Sequence, residues 1–378
     1  MAVQDTPAEI WSKIFELSCT DGGQTGRSLA LVSHYIHAVS KPYQYQSIAL
    51  VGPHAIEHFG KTIANDPQRR RVKYLFVSTF KPDPAVLDCI LGGPLHTHKL
   101  LPRRSPLHQC TNSEYNNNQL QTKSNYAISA DMYRILDLIA PTILNLHVLM
   151  DFYRGEIFFS TPFAVLEELS IQGPFHDHED CNDEFCDTLY PPIPSLKRLY
   201  LTDVFTCVKD RTYLAIRHYA PYLTHLKIQC AEGYIESGRT FLRQLMPLGV
   251  GSSGEAENVD LYGHSSFGKP VAARGSIRED EDEDNQAKRP RFPDTLQRIL
   301  FHPGPAQSRG RCAASYMVQI MRQTALRELE KCALEDPRIK LFDESPWMWP
   351  YSREYGYVEG KKQWLDGISG GVGGWEDS

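Results

Sequence analysis

The chain has 378 residues, a net charge of -6 and 41% hydrophobic residues against 23% charged ones. That length holds two or three domains of about 100–200 residues each, and the balance is that of an ordinary globular protein. The slight acidic excess argues against a protein that coats nucleic acid or an anionic membrane, because both need a strong basic surplus.

No apolar run reaches the roughly 18 residues that a membrane-spanning helix needs. The opening Met1-Ala2-Val3-Gln4-Asp5 has no basic region followed by an apolar core, so no secretory signal is expected. The nine cysteines include no C-x-x-C and read as reduced thiols, which suits a cytoplasmic or nuclear location.

In chain order, Thr6-Pro7-Ala8-Glu9 reads as a helix start, with Thr6 as cap, Pro7 at the first helical position and Glu9 closing a capping box. Ile10, Ile14 and Leu17 follow at helical spacing, and Trp11 and Phe15 widen the stripe. Asp21-Gly22-Gly23 ends this helix near Thr20. A second helix is expected from about Arg27 to Ser40, with Leu29, Val32, Ile36 and Val39 on one face and Pro42 stopping it. A strand around Ser47 to Val51 comes next, with Ile48 and Leu50 on one side. Two short helices with wide apolar faces cannot bury themselves in about 45 residues. Either the following chain covers them, as a cap, or a partner does.

The order of parts from Asp5 to Leu50, AEIWSKIFEL, a Gly-rich break and RSLALVSHYIHAVSKPYQYQSIAL, resembles the F-box of fungal F-box-like proteins. The resemblance rests on Pro-x-Glu-Ile, the Ile-Phe pair, Leu-Val-Ser in the second helix and the Tyr-rich exit. It implies docking to the Skp-type adaptor, and through it the cullin scaffold, of an SCF ubiquitin ligase. Carried over by position, the adaptor stripe is Pro7, Ile10, Ile14, Phe15, Leu29, Val32 and Ile36. The sequence departs from the family in opening on Thr6-Pro7, in placing Ile36 where a Trp is common, and in lacking apolar residues from Asp21 to Gly26.

Beyond residue 50 the pattern apolar-x-x-apolar-x-apolar recurs. It appears at Val72, Leu75 and Val77, at Ile143, Leu146 and Val148, and at Leu166, Leu169 and Ile171. It returns at Leu196, Leu199 and Leu201, at Leu223, Leu226 and Ile228, and at Leu296, Ile299 and Phe301. The last two positions of each triplet alternate, as a strand with one buried face requires. Starts at 143, 166, 196 and 223 are 23, 30 and 27 residues apart, near the roughly 20–29 of leucine-rich repeats. Helical segments between them are expected at about Ile128 to Ile139, Lys209 to Tyr219 and Ala313 to Leu326, the last with Met317, Ile320 and Met321 on its apolar face.

The expected fold is therefore α/β, a short N-terminal helical F-box-like module (5–50) followed by an irregular leucine-rich-repeat-like α/β solenoid. The repeat domain takes 51–248 with a long loop at 92–125. A polar, acidic insertion follows at 249–293, too poor in apolar residues to offset its ordering entropy. The last repeat and an aromatic cap occupy 294–378. Lys288-Arg289-Pro290-Arg291 has the composition of a short nuclear-import signal, against a default reading as solvated linker. Trp347, Trp349, Tyr351, Tyr355, Tyr357 and Trp364 crowd the C-terminus, and Trp364, Leu365 and Ile368 are expected on a final helix closing the open end of the solenoid.

Chemistry is thinly represented. His176, His178, Cys181 and Cys186 are metal-ligand types, but H-x-H-x2-C-x4-C fits no zinc module, so a solvated acidic loop is expected and no metal or cofactor. Glu167 and Glu168 flank buried strand positions and read as solvated, and Arg69-Arg70-Arg71 reads as a turn. No P-loop or H-E-x-x-H is present, and no G-x-G-x-x-G follows a strand. The reading is a non-enzymatic, substrate-recruiting subunit with no nucleic-acid or membrane partner. An unidentified target protein would lie on exposed strand positions such as Arg198, Tyr200, His225 and Lys227. The alternative is a repeat protein outside any ubiquitin ligase, whose N-terminal helices only cap the solenoid.

Overall fold

A computed structural model describes residues 6–82, 84, 87, 127–150, 163–172, 192–202, 212–230, 235, 295–303, 313–342 and 352–375. The loop expected at 92–125, the insertion at 249–293, Lys288 to Arg291, Trp347, Trp349 and Tyr351 lie outside these residues. The chain is α/β: eight parallel strands form one sheet in strict chain order. They are β1 (Ser47–Val51), β2 (Tyr74–Ser78), β3 (Asn145–Leu149), β4 (Glu168–Gln172), β5 (Arg198–Thr202), β6 (His225–Gln229), β7 (Arg298–His302) and β8 (Ile339–Leu341). Parallel neighbours cannot be joined by a hairpin, so successive strands need crossover connections.

The last two residues of all six recurring triplets fall on strands, β2 to β7, in a single register, and the first stands just before each strand. Leu75, Leu146, Leu169, Leu199, Leu226 and Ile299 stand side by side, as do Val77, Val148, Ile171, Leu201, Ile228 and Phe301. The junctions repeat too. The carbonyl just before each strand accepts two N–H groups from the next: Lys73 O from Leu144 and Asn145, Leu144 O from Glu167 and Glu168, Glu167 O from Lys197 and Arg198. Lys197 O and Thr224 O continue the series. Hydroxyls stitch the same junctions, as Thr142 donates to Val72 O, Ser195 to Leu166 O and Thr295 to Leu223 O. These polar backbone groups would otherwise be buried unpaired at every turn of the chain.

One face of the sheet carries the helices α4 (Pro53–Asn65), α5 (residues 127–139), α6 (Thr212–Tyr219) and α7 (Ala313–Glu335). Ile56, Phe59, Ile63, Met132, Ile135, Ile139, Ile216, Leu329 and Cys332 pack there against the triplet side chains in one continuous core. One helical detail differs from expectation. In α7, Ile320 and Met321 are exposed, while Ala325, Leu329 and Cys332 in the second half join the core. Pro67–Arg70 forms a short 3-10 turn in which Arg70 donates to Ile63 O and Ala64 O, capping α4, while Arg69 pairs with Asp66.

The other face is covered at β2 and β3 by α8 (Ser352–Ile368). Tyr357, Trp364 and Ile368 bury against Phe76 and Leu149. The final helix therefore exists but does not close the end of the stack. It lies across the sheet because Phe76 and Leu149 make that face apolar near its beginning. Gly360 allows the close approach: a Cβ there would stand 2.6 Å from His147 Nε2.

Before β1 come α1 (Ala8–Ser18), α2 (Gln24–Leu29) and α3 (His34–Ser40). The single helix expected from Arg27 to Ser40 is broken, because Ser33 adopts extended backbone and its hydroxyl accepts from Ile36 N–H as the cap of α3. The Thr6 cap is not made either. Pro7 occupies the cap position and the Thr6 carbonyl accepts from Tyr35 Oη–H.

Candidate functional site

Helix α1 carries two apolar stripes, and the fold uses them differently. Trp11, Phe15 and Cys19 turn inward, with Trp11 and Phe15 stacked at 5.5 Å. Phe15, Cys19 and Ile36 form a small core, flanked by Leu29, Tyr35, Val39 and Tyr43, that is separate from the main one. The second stripe is bare: Ile10 is 53% exposed, Ile14 44% and Leu17 68%. At the turn between α2 and α3, Leu31 is 87% exposed and Val32 65%.

The seven residues of the expected adaptor stripe thus divide. Pro7, Ile10, Ile14 and Val32 are on the surface, and Leu29 is half-buried. Phe15 and Ile36 are buried in the module's own core, where they pack with Cys19 between α1 and α3. Leu17 and Leu31 are exposed apolar residues that the expected stripe omitted.

The module is held to the sheet rather than hanging free. Glu16 takes hydrogen bonds from Lys73 at 2.8 Å and Lys13 at 2.9 Å, and these hold its carboxyl down to about 2. Gln46 Nε2 donates to Glu16 O, and Gly22 N–H to Ser47 Oγ. Helix α2 presses on the chain leading into β1 so closely that a Cβ at Gly26 would lie 2.7 Å from Gln44 O. Asp21 caps the start of α2 by accepting from Thr25 N–H and Oγ1–H.

The second candidate surface is the strand face opposite helices α4 to α7. Its ladder positions from β4 to β7 are Glu168, Ser170, Arg198, Tyr200, His225, Lys227, Gln229, Arg298 and Leu300. Tyr200 and Lys227 were expected to be exposed, and Glu168 to be solvated. Tyr200 and Lys227 are buried and Glu168 is half-buried, because residues 369–375 fold back over them from the end of α8. Lys227 Nζ donates to Gly374 O at 3.1 Å and sits over the Tyr200 ring. Tyr200 Oη–H donates to Gln229 Oε1 at 2.6 Å. Trp375 Nε1–H donates to Glu168 Oε1, and the indole meets the His225 ring edge-on while packing with Tyr200 and Leu300. Arg198 pairs with Glu168 across the strands at 2.9 Å. Arg198 and His225 remain half-buried.

Burial sets the charges on this face. It pushes the Lys227 ammonium down to about 8 and raises the Glu168 carboxyl from its ordinary value, although Arg198 opposes the latter. It also drives His147 and His302 to about 3, with Lys227 adding to both, so both rings are neutral at physiological pH. Within the described residues no group of three or more His, Cys, Asp or Glu could hold a metal ion, and His176, His178, Cys181 and Cys186 lie outside them. Among the described residues no helix is long and apolar enough to cross a membrane. No family model, curated protein or solved structure matches this chain.

Proposed function

We propose that this chain is a substrate-recruiting subunit of an SCF-type ubiquitin ligase. Helices α1 to α3 dock on a Skp-type adaptor, and the parallel stack acts as a leucine-rich-repeat-like solenoid that presents a target protein. The observation that carries the reading is the bare stripe of Ile10, Ile14, Leu17, Leu31 and Val32 on a module that already has its own core. A helix pair serving only as a solenoid cap would turn those side chains inward. The alternating strands, the shared register and the repeated junction bonds support the solenoid part.

The energetics permit docking. Taken together, the exposed fractions amount to about three full side chains, whose covering contributes about 5–10 kcal/mol. Association costs about 4–15 kcal/mol, so the stripe meets that cost only when nearly all of it is covered. The mechanism is proximity: tethering a target beside a charged ubiquitin-conjugating enzyme raises the effective concentration of its lysines, with no reacting group from this chain.

Co-purification with the adaptor tests the proposal. Ile14→Asp should abolish capture yet leave the unfolding midpoint near the wild type, because the side chain is already half in water. Phe15→Ala should instead cost about 3–5 kcal/mol in the module's own stability. Undiminished capture by a folded Ile14→Asp chain sinks the docking role.

A further inference from the structure

Two kinds of cover lie on the strand face opposite the helices. At β2 and β3 the cover is apolar on apolar, with Trp364, Tyr357 and Ile368 on Phe76 and Leu149. At β4 to β7 the cover is the tail 369–375, and beneath it stand an ammonium, a phenol and a carboxylate that the half-buried Arg198 pairs. Sequences that seal a face permanently place apolar side chains under the seal, since a buried charge is costly unless fully paired. Here the charges are retained and the tail answers them with a backbone carbonyl and an indole N–H.

The tail itself is weakly committed to its place. Ser369-Gly370-Gly371-Val372-Gly373-Gly374 has four glycines, of which Gly370, Gly373 and Gly374 hold positive φ, so ordering it costs more backbone entropy than ordering a glycine-free segment of that length. It is folded back by Asp366, whose carboxylate accepts from Gly373 N–H and whose carbonyl accepts from Gly371 N–H. It is fastened at its far end by Gly374 and Trp375. Val372 between them is 40% exposed.

We propose that the face of β4 to β7 is a recognition surface for an extended peptide bearing a tryptophan, and that residues 370–375 close it in cis as a strap which such a peptide displaces. The surface supplies an acceptor for an indole N–H in Glu168, a donor for a peptide carbonyl in Lys227, and an aromatic and aliphatic bed in Tyr200 and Leu300. This rests on the reading above only in making that face the target site.

The probe is a fluorescein-labelled peptide of residues 367–378, added in trans to the full chain and followed by anisotropy. The tethered strap competes at an effective concentration of order millimolar, so the wild type should bind the probe poorly. Two variants release the strap by different means: Trp375→Ala removes its anchor, and Asp366→Ala removes the fold-back. Both should bind the probe at least about tenfold more tightly than the wild type, and a probe with Trp375→Ala should not bind. Equal binding by wild type and both variants, or no binding by either folded variant, overturns the proposal. So does loss of folding by circular dichroism in both, since the tail would then be part of the core. The adaptor plays no part in this measurement, so its outcome is independent of the docking test.

Discussion

Replacing Gly360 by alanine sets two known effects against each other, and the sign of the result reports whether α8 is seated on the sheet. In an unseated helix the change would stabilise, since glycine inside a helix is about 0.8–1.0 kcal/mol worse than alanine. In the seated helix the new Cβ would lie 2.6 Å from His147 Nε2 and 3.1 Å from Cε1. The His147 ring cannot retreat, because it is buried and stacked on Phe76 at 5.2 Å. Overpacking of this kind costs about 1–3 kcal/mol. With the neighbour fixed, the upper half of that range applies, and the net loss is about 1–2 kcal/mol after the helix gain. At roughly 2–4 °C per kcal/mol, the midpoint should fall by about 2–8 °C. Thermal and urea unfolding followed by circular dichroism give the number. His147→Ala in the same chain should recover much of the loss, with a coupling of about 1 kcal/mol or more in the double-mutant cycle. A raised midpoint for Gly360→Ala refutes the seating of α8 on β3.

Gly26→Ala drives a Cβ to 2.7 Å from Gln44 O, a backbone atom with no freedom to yield, so hydrogen exchange in α1 to α3 should quicken while the sheet stays protected. Unchanged exchange there removes the close approach. Lys227 binds its proton more weakly in the folded chain, at about 8 against an ordinary 10.5. Between those values the unfolded chain holds more protons, so stability rises as pH climbs from about 8 to 10.5, by on the order of 2–3 kcal/mol. Lys227→Met should flatten that rise in urea titrations at several pH values, and an identical slope in both chains contradicts the burial. Glu16 shows the opposite linkage. Its carboxyl sits at about 2 against an ordinary 4.5, so its contribution is complete above about pH 4.5 and lost as pH falls towards 2. The pair is near the surface and worth about 0–1 kcal/mol, so the check is an NMR titration midpoint below 3 for Glu16 rather than a shift in melting.

Strands were the most legible part of the chain because each needs only local information. A triplet such as Leu196, Leu199 and Leu201 states its own buried face through alternation, and the six triplets became six neighbouring strands. β8 has three residues and no room to alternate, so Ile339 and Leu341 gave no comparable signal. Helix α4 carries a local signal of its own, a start at Gly52-Pro53 and the spacing Ile56, Phe59 and Ile63, outside the repeating triplets. The break at Ser33 is hidden by the apolar residues just before it, Leu31 and Val32, which serve a surface and not a helix face.

The candidate surfaces were legible only in part, for a reason of geometry. A stripe of apolar residues on a helix says that something covers it but not what. In α1, Ile10, Ile14 and Leu17 stand beside Trp11, Phe15 and Cys19, and sequence spacing ranks the two stripes equally. Packing separates them: two rings stacked at 5.5 Å fill the space against Ile36, which leaves the aliphatic stripe outside. The strand face shows the same difficulty on a larger scale. Alternation correctly sends Tyr200 and Lys227 away from the helices, yet whether that direction is solvent depends on residues nearly 150 positions later, where Gly374 meets Lys227. Nothing local to β5 or β6 encodes that meeting. The charges are the residual trace of it: a ladder of Glu168, Arg198, Tyr200 and Lys227 is chemistry suited to water or to a polar ligand, and a glycine-rich strap ending in tryptophan satisfies it without making it apolar.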